Sequence, residues 1–454
     1  MSLRTVLMRS ATAALTSPFR RRMARDIAGL ATRLRGERPT IRYFHQADDP
    51  YSHLAAQMLP RLRARYAAEV EVWLVPPPDD SAAPDRERLR NYGLRDAARL
   101  ARARGLGFPA NAALPDHDSV RRLQTVLADA LERGRFEEVA SAAGAALWSG
   151  DTRTLGGMAA WASGQDPRLV DAILVSGESR RARLGHYLGG MFHFEGEWFW
   201  GVDRLGHLER RLADRGLDRD AGNPPLAPAL EPTLGATLGM TGPTIELWFS
   251  FRSPYSWLIL PRIRQLARAH GARLVLRPIL PMVMRGLAVP RVKTLYIALD
   301  CKREAERLGL PFGKIVDPVG AGAERALAVL HHAIDLGLGE DFAELGLKAA
   351  FADGIALARD AGLFAVARRA GLTDAQTAAA LADDSWRDRV AANRTALLEA
   401  GLWGAPSFRV DGQPAHSPAH SPVHWGQDRL WMLEDDIRAA MESARAYAPN
   451  GLSG

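Results

Sequence analysis

A serine, a proline and a change of hydrophobic period meet at Trp248-Phe249-Ser250-Phe251-Arg252-Ser253-Pro254-Tyr255-Ser256. The apolar run 244–249 reads as a strand, and from Trp257-Leu258-Ile259-Leu260 onward the spacing becomes helical, with Ser-Pro at the junction. That pattern puts the Ser253 hydroxyl at the mouth of a helix. The first N–H groups there have no intrahelical partner, and the macrodipole leaves about half a positive charge. Such a mouth binds anions. Donors combined with a helix N-terminus also lower a thiol pKa from about 8.5 toward neutrality, so the chemistry on offer is thiolate stabilisation. The bland role of the same residues is an N-cap serine followed by a proline in the first turn.

Other residues are placed for chemistry further along. Gln427 and Asp428, in Trp425-Gly426-Gln427-Asp428-Arg429-Leu430, precede a helical segment over 429–441, a second mouth that would face an anion. Lys293 lies in Val289-Pro290-Arg291-Val292-Lys293-Thr294-Leu295-Tyr296, and a cation there would bind a carboxylate or polarise an enol oxygen. Trp248, Phe249, Phe251, Tyr255 and Trp257 either wall an aromatic pocket or fill the core, core being the commoner role of strand aromatics. Cys301 reads as inert and His331-His332 as packing or surface residues. His416, His420 and His424 recur at spacing four in a Pro-rich loop, where proline prevents a helix from presenting them together to a metal.

Three motifs in order carry a resemblance: the strand–Ser253-Pro254-Tyr255-Ser256–helix start, Gly404-Ala405-Pro406 before the run Ser407-Phe408-Arg409-Val410, and the Trp425-to-Leu430 helix start. Together they resemble the 2-hydroxychromene-2-carboxylate isomerase family, which belongs with kappa-class glutathione transferases in the DsbA-like branch of the thioredoxin fold. The resemblance covers residues 243–440. It implies that Ser253 hydrogen-bonds the sulfur of glutathione, that Ala405–Pro406 is cis beside the cysteinyl part, and that Gln427 and Asp428 meet the γ-glutamyl end. By resemblance, Pro254 and Tyr255 belong to the same cofactor-binding turn, and Lys293 matches a lysine near glutathione and the substrate. The asparagine usual shortly before that lysine is missing from Met282-Val283-Met284-Arg285-Gly286-Leu287. The function implied is a glutathione-dependent isomerase or transferase acting on a small unsaturated, aromatic-derived acid. The alternatives are a DsbA-like thiol oxidoreductase, which lacks its CxxC, and a redox-silent binding or scaffold protein.

Positioning these residues requires the surrounding elements, and they occur twice. Ile41-Arg42-Tyr43-Phe44-His45-Gln46-Ala47-Asp48-Asp49-Pro50-Tyr51-Ser52 aligns without gaps on residues 245–256 at an offset of 204, which also carries residues 69–74 onto 273–278. Met191 to Gly196 resembles Ser407 to Gly412, and Trp200 to Leu205 resembles Trp425 to Leu430. Between these landmarks each half carries long helical stretches, over 85–104, 120–133 and 136–147 in the first and 293–308, 323–336 and 342–351 in the second. The fold expected is α/β: two tandem thioredoxin-like, DsbA-like domains, each with an inserted all-helical subdomain. Their bounds are 39–218 and 243–446, joined by a Pro/Gly-rich linker over 219–242. Asp49 replaces Ser253 and Gly189-Gly190 replaces Ala405-Pro406, so the first domain reads as degenerate, retained as the other half of an internal pseudo-dimer.

Charge and composition narrow the partners. The net charge of +7 lies wholly in residues 1–38, an extension with nine arginines against two acids, and the other residues balance at 50 basic and 50 acidic. A basic groove for nucleic acid is therefore not expected. The extension reads as a basic amphipathic helix or a frayed tail. One cysteine excludes an internal disulfide and suits a reducing cytoplasm. No run of eighteen apolar residues predicts a membrane span.

Overall fold

A computed structural model of the chain describes residues 3–162, 167–235, 242–411 and 423–447. It divides into two units. The N-terminal unit comprises residues 21–229 with 290–296, and the C-terminal unit comprises 1–20, 230–289 and 297–454.

In the N-terminal unit, strands β1 (Thr40–His45), β2 (Glu69–Leu74), β3 (Met191–Phe194) and β4 (Glu197–Trp200) form one sheet in the order β2-β1-β3-β4. β1 runs parallel to β2 and antiparallel to β3, and β3 pairs antiparallel with β4. A parallel pair demands a crossover, supplied by the helices Pro50–Ala56 and Leu59–Arg65. Pro60, unable to donate a backbone hydrogen bond, is accommodated at the start of the second piece, so the crossover breaks there. Ile41, Tyr43, Phe44, Phe192, Phe194 and Phe199 are fully buried between sheet and helices. The expected helices appear as Arg86–Arg104, His117–Glu132 and Phe136–Trp148, followed by Thr152–Trp161 and Pro167–Arg183, which the hydrophobic pattern alone did not mark.

The C-terminal unit has its own sheet of β5 (Thr244–Phe249), β6 (Arg273–Pro278), β7 (Ser407–Asp411) and β8 (His424–Trp425), in the order β6-β5-β7-β8. β5 and β6 are parallel, and the β5–β7 and β7–β8 pairs are antiparallel. One unbroken helix, Pro254–Ala269, makes the crossover. Ile245, Leu247 and Phe249 meet Leu258, Ile259 and Ile263 of that helix in a single apolar core. On β5, the buried Glu246 lies between Arg277 and Arg409, which hydrogen-bond its two carboxylate oxygens at 2.9 and 2.6 Å. Burial raises its pKa, but the two arginines outweigh that and hold the carboxyl below its ordinary value.

The aromatics around the Ser-Pro junction belong to the core. Trp248, Phe249, Phe251 and Trp257 are buried, with the indole N–H groups of Trp248 and Trp257 donating to the Asn393 and Pro311 carbonyls. Only Tyr255 is half-buried, its hydroxyl donating to Asp300 at 2.8 Å. Cys301 is fully buried, and His331 donates through Nδ1 to the Leu327 carbonyl of its own helix. The histidine-rich loop lies outside the described residues except for His424, which pairs with Asp436 at 2.6 Å.

The arginine-rich extension is two docked helices rather than a solvated tail. α1 (Leu3–Leu15) belongs to the C-terminal unit, where Thr12 Oγ1 accepts from the Ile315 N–H at 3.0 Å. Gly313, at φ 132°, lets Thr16 close in, since a Cβ there would come within 2.3 Å of its hydroxyl oxygen. α2 (Pro18–Leu34) sets Arg25 as a fork on Glu197, at 2.9 and 2.8 Å. The described part of the Pro/Gly-rich linker, up to residue 235, is likewise pinned. Glu209, buried at 2% exposure, accepts from the Tyr66 hydroxyl and from the N–H groups of Leu226 and Ala227. Beyond it, Glu231 bridges Arg262 and Arg307, and the Thr233 N–H donates to Glu434 at 2.6 Å. Composition marked this stretch only as a linker, because the side chains that hold it are distant in sequence.

Removing Glu209 strips one buried hydroxyl and two backbone N–H groups of their acceptor, each costing roughly 1–3 kcal/mol when left unsatisfied. Glu209→Ala is expected to lower the unfolding free energy of the N-terminal unit by about 2–4 kcal/mol in urea. It should also open the bonds around residues 224–229 to limited proteolysis.

Candidate active-site turn

Ser253 sits where the sequence pattern put it, as the N-cap of Pro254–Ala269. Proline after it biases its backbone toward the extended region, and the residue adopts φ −95° and ψ 111°. Its oxygen accepts from the Ser256 N–H at 3.2 Å, satisfying one of the helix's orphan donors. Its proton points across the turn to the Ala405 carbonyl, 3.1 Å away. The hydroxyl therefore bridges the helix mouth and the loop that precedes β7. That loop contains the chain's cis peptide among the described residues, Ala405–Pro406.

Glycine precedes this alanine for a steric reason. A Cβ on Gly404 would lie 2.4 Å from the ring of Trp425, which itself packs on Trp403 with centroids 5.2 Å apart. Two motifs separated by twenty residues are thus one packing unit. The Gly426 N–H donates to the Pro406 carbonyl at 3.0 Å, bringing the turn 426–429 to the cis-proline loop. Within it Gln427 is buried: its amide oxygen accepts from Arg262 at 2.6 Å, and its amide nitrogen donates to Glu304 at 2.8 Å and also to Asp428. Gln427 is therefore committed to internal bonds that hold Asp428, which is half-buried at the helix start.

Ser253, Pro254, Ala405, Pro406 and the 426–428 turn come together. Lys293 has a different setting. The helix Arg291–Leu308 begins within the N-terminal unit, and there the Lys293 ammonium donates to the Ala82 carbonyl at 2.8 Å, with burial lowering its pKa to about 8. A helical pattern locates a residue on its helix but not the body against which that turn packs.

Arg285 escaped sequence reading, which looked for an asparagine in its place. It ends the single turn Met282–Arg285, and its Nη1 donates to the Trp403 carbonyl at 2.9 Å. Its Nε is buried without a hydrogen-bond partner. Burial, aided by the like charge of Arg394, lowers its pKa to about 10. Neither arginine forms an ion pair among the described residues. Trp403 and Ala405 are two residues apart, no more than about 7 Å along the chain, so Arg285 and Ser253 bond to one short stretch of backbone. The available signal was a cation inside an apolar Met-Val-Met turn with no acid near it in sequence. By contrast Arg252, next to Ser253, is neutralised by a bidentate pair with Asp317 at 2.9 and 3.0 Å.

The corresponding turn of the N-terminal unit carries different chemistry. Asp49 caps the helix Pro50–Ala56, accepting from the Ser52 N–H at 2.9 Å, the Ser52 hydroxyl at 2.6 Å and the Tyr51 N–H at 3.3 Å. Burial pushes its carboxyl up to about 6 against those hydrogen bonds. Gly190, at φ 63°, lies so close that a Cβ would sit 3.1 Å from the Asp49 carboxylate. An acceptor occupies the place of a donor, and a carboxylate there repels a thiolate.

Residues 244–438 match the DSBA-like thioredoxin domain family, and this half of the chain is a DsbA-like thioredoxin domain. The 2-hydroxychromene-2-carboxylate isomerase of Pseudomonas sp. (strain C18) is 22% identical over 205 residues, spanning 43% of this chain and 91% of that protein. A solved 2-hydroxychromene-2-carboxylate isomerase is 21% identical over 45% of this chain and 100% of its own, with a TM-score of 0.38. The cytosolic disulfide reductase DsbM of Pseudomonas aeruginosa, solved with GSH, is 18% identical over 45% of this chain and 99% of its own, with a TM-score of 0.32.

The Asp49 carboxyl yields a pH signature. Its raised pKa means that the folded state holds its proton more tightly than the unfolded chain does, so the contribution is present below about pH 4 and is lost as pH rises through about 6. Asp49→Asn keeps the capping oxygen and removes the charge. Near pH 7 it should stabilise the N-terminal unit by about 1–3 kcal/mol, with the gain vanishing near pH 4 in denaturant titrations at the two pH values.

Proposed function

We propose that the C-terminal unit is a glutathione-dependent isomerase or kappa-class-like glutathione transferase acting on a small unsaturated, aromatic-derived carboxylic acid. The observation that carries this reading is the Ser253 hydroxyl set between a helix N-terminus and the Ala405–Pro406 loop. It is supported by the sequence match to an isomerase across 91% of that protein's length.

The donor set suits a tripeptide thiol. A hydroxyl proton now given to the Ala405 carbonyl is free to turn to a sulfur, and the helix mouth adds positive potential. Asp428, held by Gln427, is an acceptor for an α-ammonium. Arg285, with a buried and unpartnered Nε, is a donor for a carboxylate. When bound, glutathione would supply a nucleophilic thiolate for reversible addition to an activated double bond. Ser253 holds that sulfur in its charged form and takes no proton from it. Pro254 fixes the start of the helix, and Asp300 restrains the Tyr255 hydroxyl at the rim of the turn.

We read the N-terminal unit as a duplicated copy that no longer performs this chemistry. Support comes from matched geometry at the same offset of 204 residues. The parallel registers Thr40↔Glu69 and Thr244↔Arg273 correspond, as do the bonds Tyr51–Asp96 and Tyr255–Asp300, both 2.8 Å. Asp49 in place of Ser253 is the change that ends thiolate binding. Disulfide exchange has no place in either unit, since the only cysteine is Cys301 and it is buried.

Two variants test the reading. Ser253→Ala should lower glutathione-dependent turnover of an unsaturated aromatic acid by about 10²-fold, the usual cost of one charge-stabilising donor. The thiolate absorbance of enzyme-bound glutathione should shift to higher pH with it. Unchanged turnover and an unchanged thiolate titration would sink the role of Ser253. Arg285→Leu should raise KM for the acid or weaken glutathione binding by about 10-fold or more, with kcat less affected; calorimetry with glutathione alone separates the two.

A further inference from the structure

α2 is an amphipathic helix turned outward. Phe19, Met23, Ile27, Leu30 and Leu34 are 74%, 47%, 59%, 54% and 78% exposed. At 3.6 residues per turn these five fall within an arc of about 80°. The opposite face is the one the protein covers. Arg21 and Arg25 reach Glu197, Gly29 is buried with the Arg215 guanidinium where its Cβ would be, and Thr32 is buried with its hydroxyl donating to the Ala28 carbonyl. The centre of that anchored face lies about 180° from the centre of the apolar stripe. Amphipathic helices of soluble domains normally bury the apolar side. Here ion pairs and a close glycine contact hold the polar side inward, and the stripe lies open along roughly 25 Å of helix.

Charge selects the occupant. Arg20, Arg22 and Arg33 are exposed along the edges of the stripe, with Asp26 the one acid beside it. The first 38 residues carry the whole +7 of the chain, against a balanced remainder. A second copy of the same face would bring those arginines against one another, because a two-fold interface repeats the patch on both sides. A continuous apolar stripe flanked by arginines instead matches a helix lying in the headgroup region of an anionic bilayer, the arginines meeting phosphates while the side chains between them enter the acyl boundary. No helix among the described residues is long and apolar enough to cross a membrane, so attachment would be peripheral. We propose that α2 is a membrane-docking element that seats this protein on anionic lipid surfaces.

Flotation of the full-length protein with vesicles tests this. Vesicles of phosphatidylglycerol and phosphatidylcholine should carry the protein upward, pure phosphatidylcholine should carry at least tenfold less, and high salt should reduce binding. The combined variant Phe19→Ser, Ile27→Ser, Leu34→Ser should lose at least tenfold of the bound fraction while keeping the parent's melting temperature, since these side chains are already exposed. The variant Arg20→Gln, Arg22→Gln, Arg33→Gln should lose the preference for anionic vesicles. Absence of binding by the parent, or binding unaltered by the serine substitutions, would overturn the proposal. So would a parent that ignores vesicles but forms dimers in sedimentation that the serine variant does not form.

Discussion

The strand-to-helix turn of the C-terminal unit depends on one bridging hydroxyl. Ser253 closes the first turn of a helix through the Ser256 N–H and spends its own proton on the carbonyl before a cis proline. Those two bonds keep the positive end of the helix facing a loop to which Arg285 and the 426–428 turn are tied through the Trp403 and Pro406 carbonyls. The surrounding packing is rigid where it matters: Gly404 admits the Trp425 ring, and Gly426 reaches back to Pro406. A site of this kind gains from its supports being fixed before a ligand arrives, because little ordering remains to be done at binding.

The two sheets show how one framework carries a hydroxyl or a carboxylate at the same kind of turn. Both have a parallel pair extended by an antiparallel hairpin, and both close the strand-to-helix turn with a serine hydroxyl, Ser52 for Gln46 and Ser256 for Ser250. At the turn itself the two units differ in the capping residue and in the loop it faces. A carboxylate caps a helix as well as a hydroxyl does, so Asp49 keeps the fold while replacing a donor with an acceptor. Gly189 and Gly190 complete the change, since a Cβ on Gly189 would lie 2.4 Å from Gln46. The helix cap and the hydroxyl proton are thus separable at this position, since a carboxylate supplies the first and not the second.

Acidic side chains acting at a distance organise the segments that have no regular structure. Glu209 gathers Tyr66, Leu226 and Ala227, Glu231 joins Arg262 and Arg307, and Glu434 takes Thr233 and His270. Glu209 and Glu434 are buried and multiply bonded, which is the condition under which a buried carboxylate is tolerated, while Glu231 makes its two pairs at the surface. The same logic fixes α2, where Glu197 accepts from both Arg25 and Arg211.

The sequence by itself determined the strands and the Ser-Pro helix start, because each is written in local periodicity or in residues whose backbone preferences are strong, whereas the cis Ala405–Pro406 bond followed only from the resemblance. It also located the positive charge in the first 38 residues. Tertiary structure alone decided which distant groups met. Lys293 lies on a helix whose first turn belongs to the N-terminal unit, Arg285 owes its site to the Trp403 carbonyl, and Gln427 is occupied by Arg262 and Glu304. It decided, too, that α2 turns its apolar side outward, since only the positions of Glu197 and Arg215 say which face is held. Periodicity specifies which residues share a face. What that face touches is set by long-range pairing, and the energy of that pairing is absent from any short window of sequence.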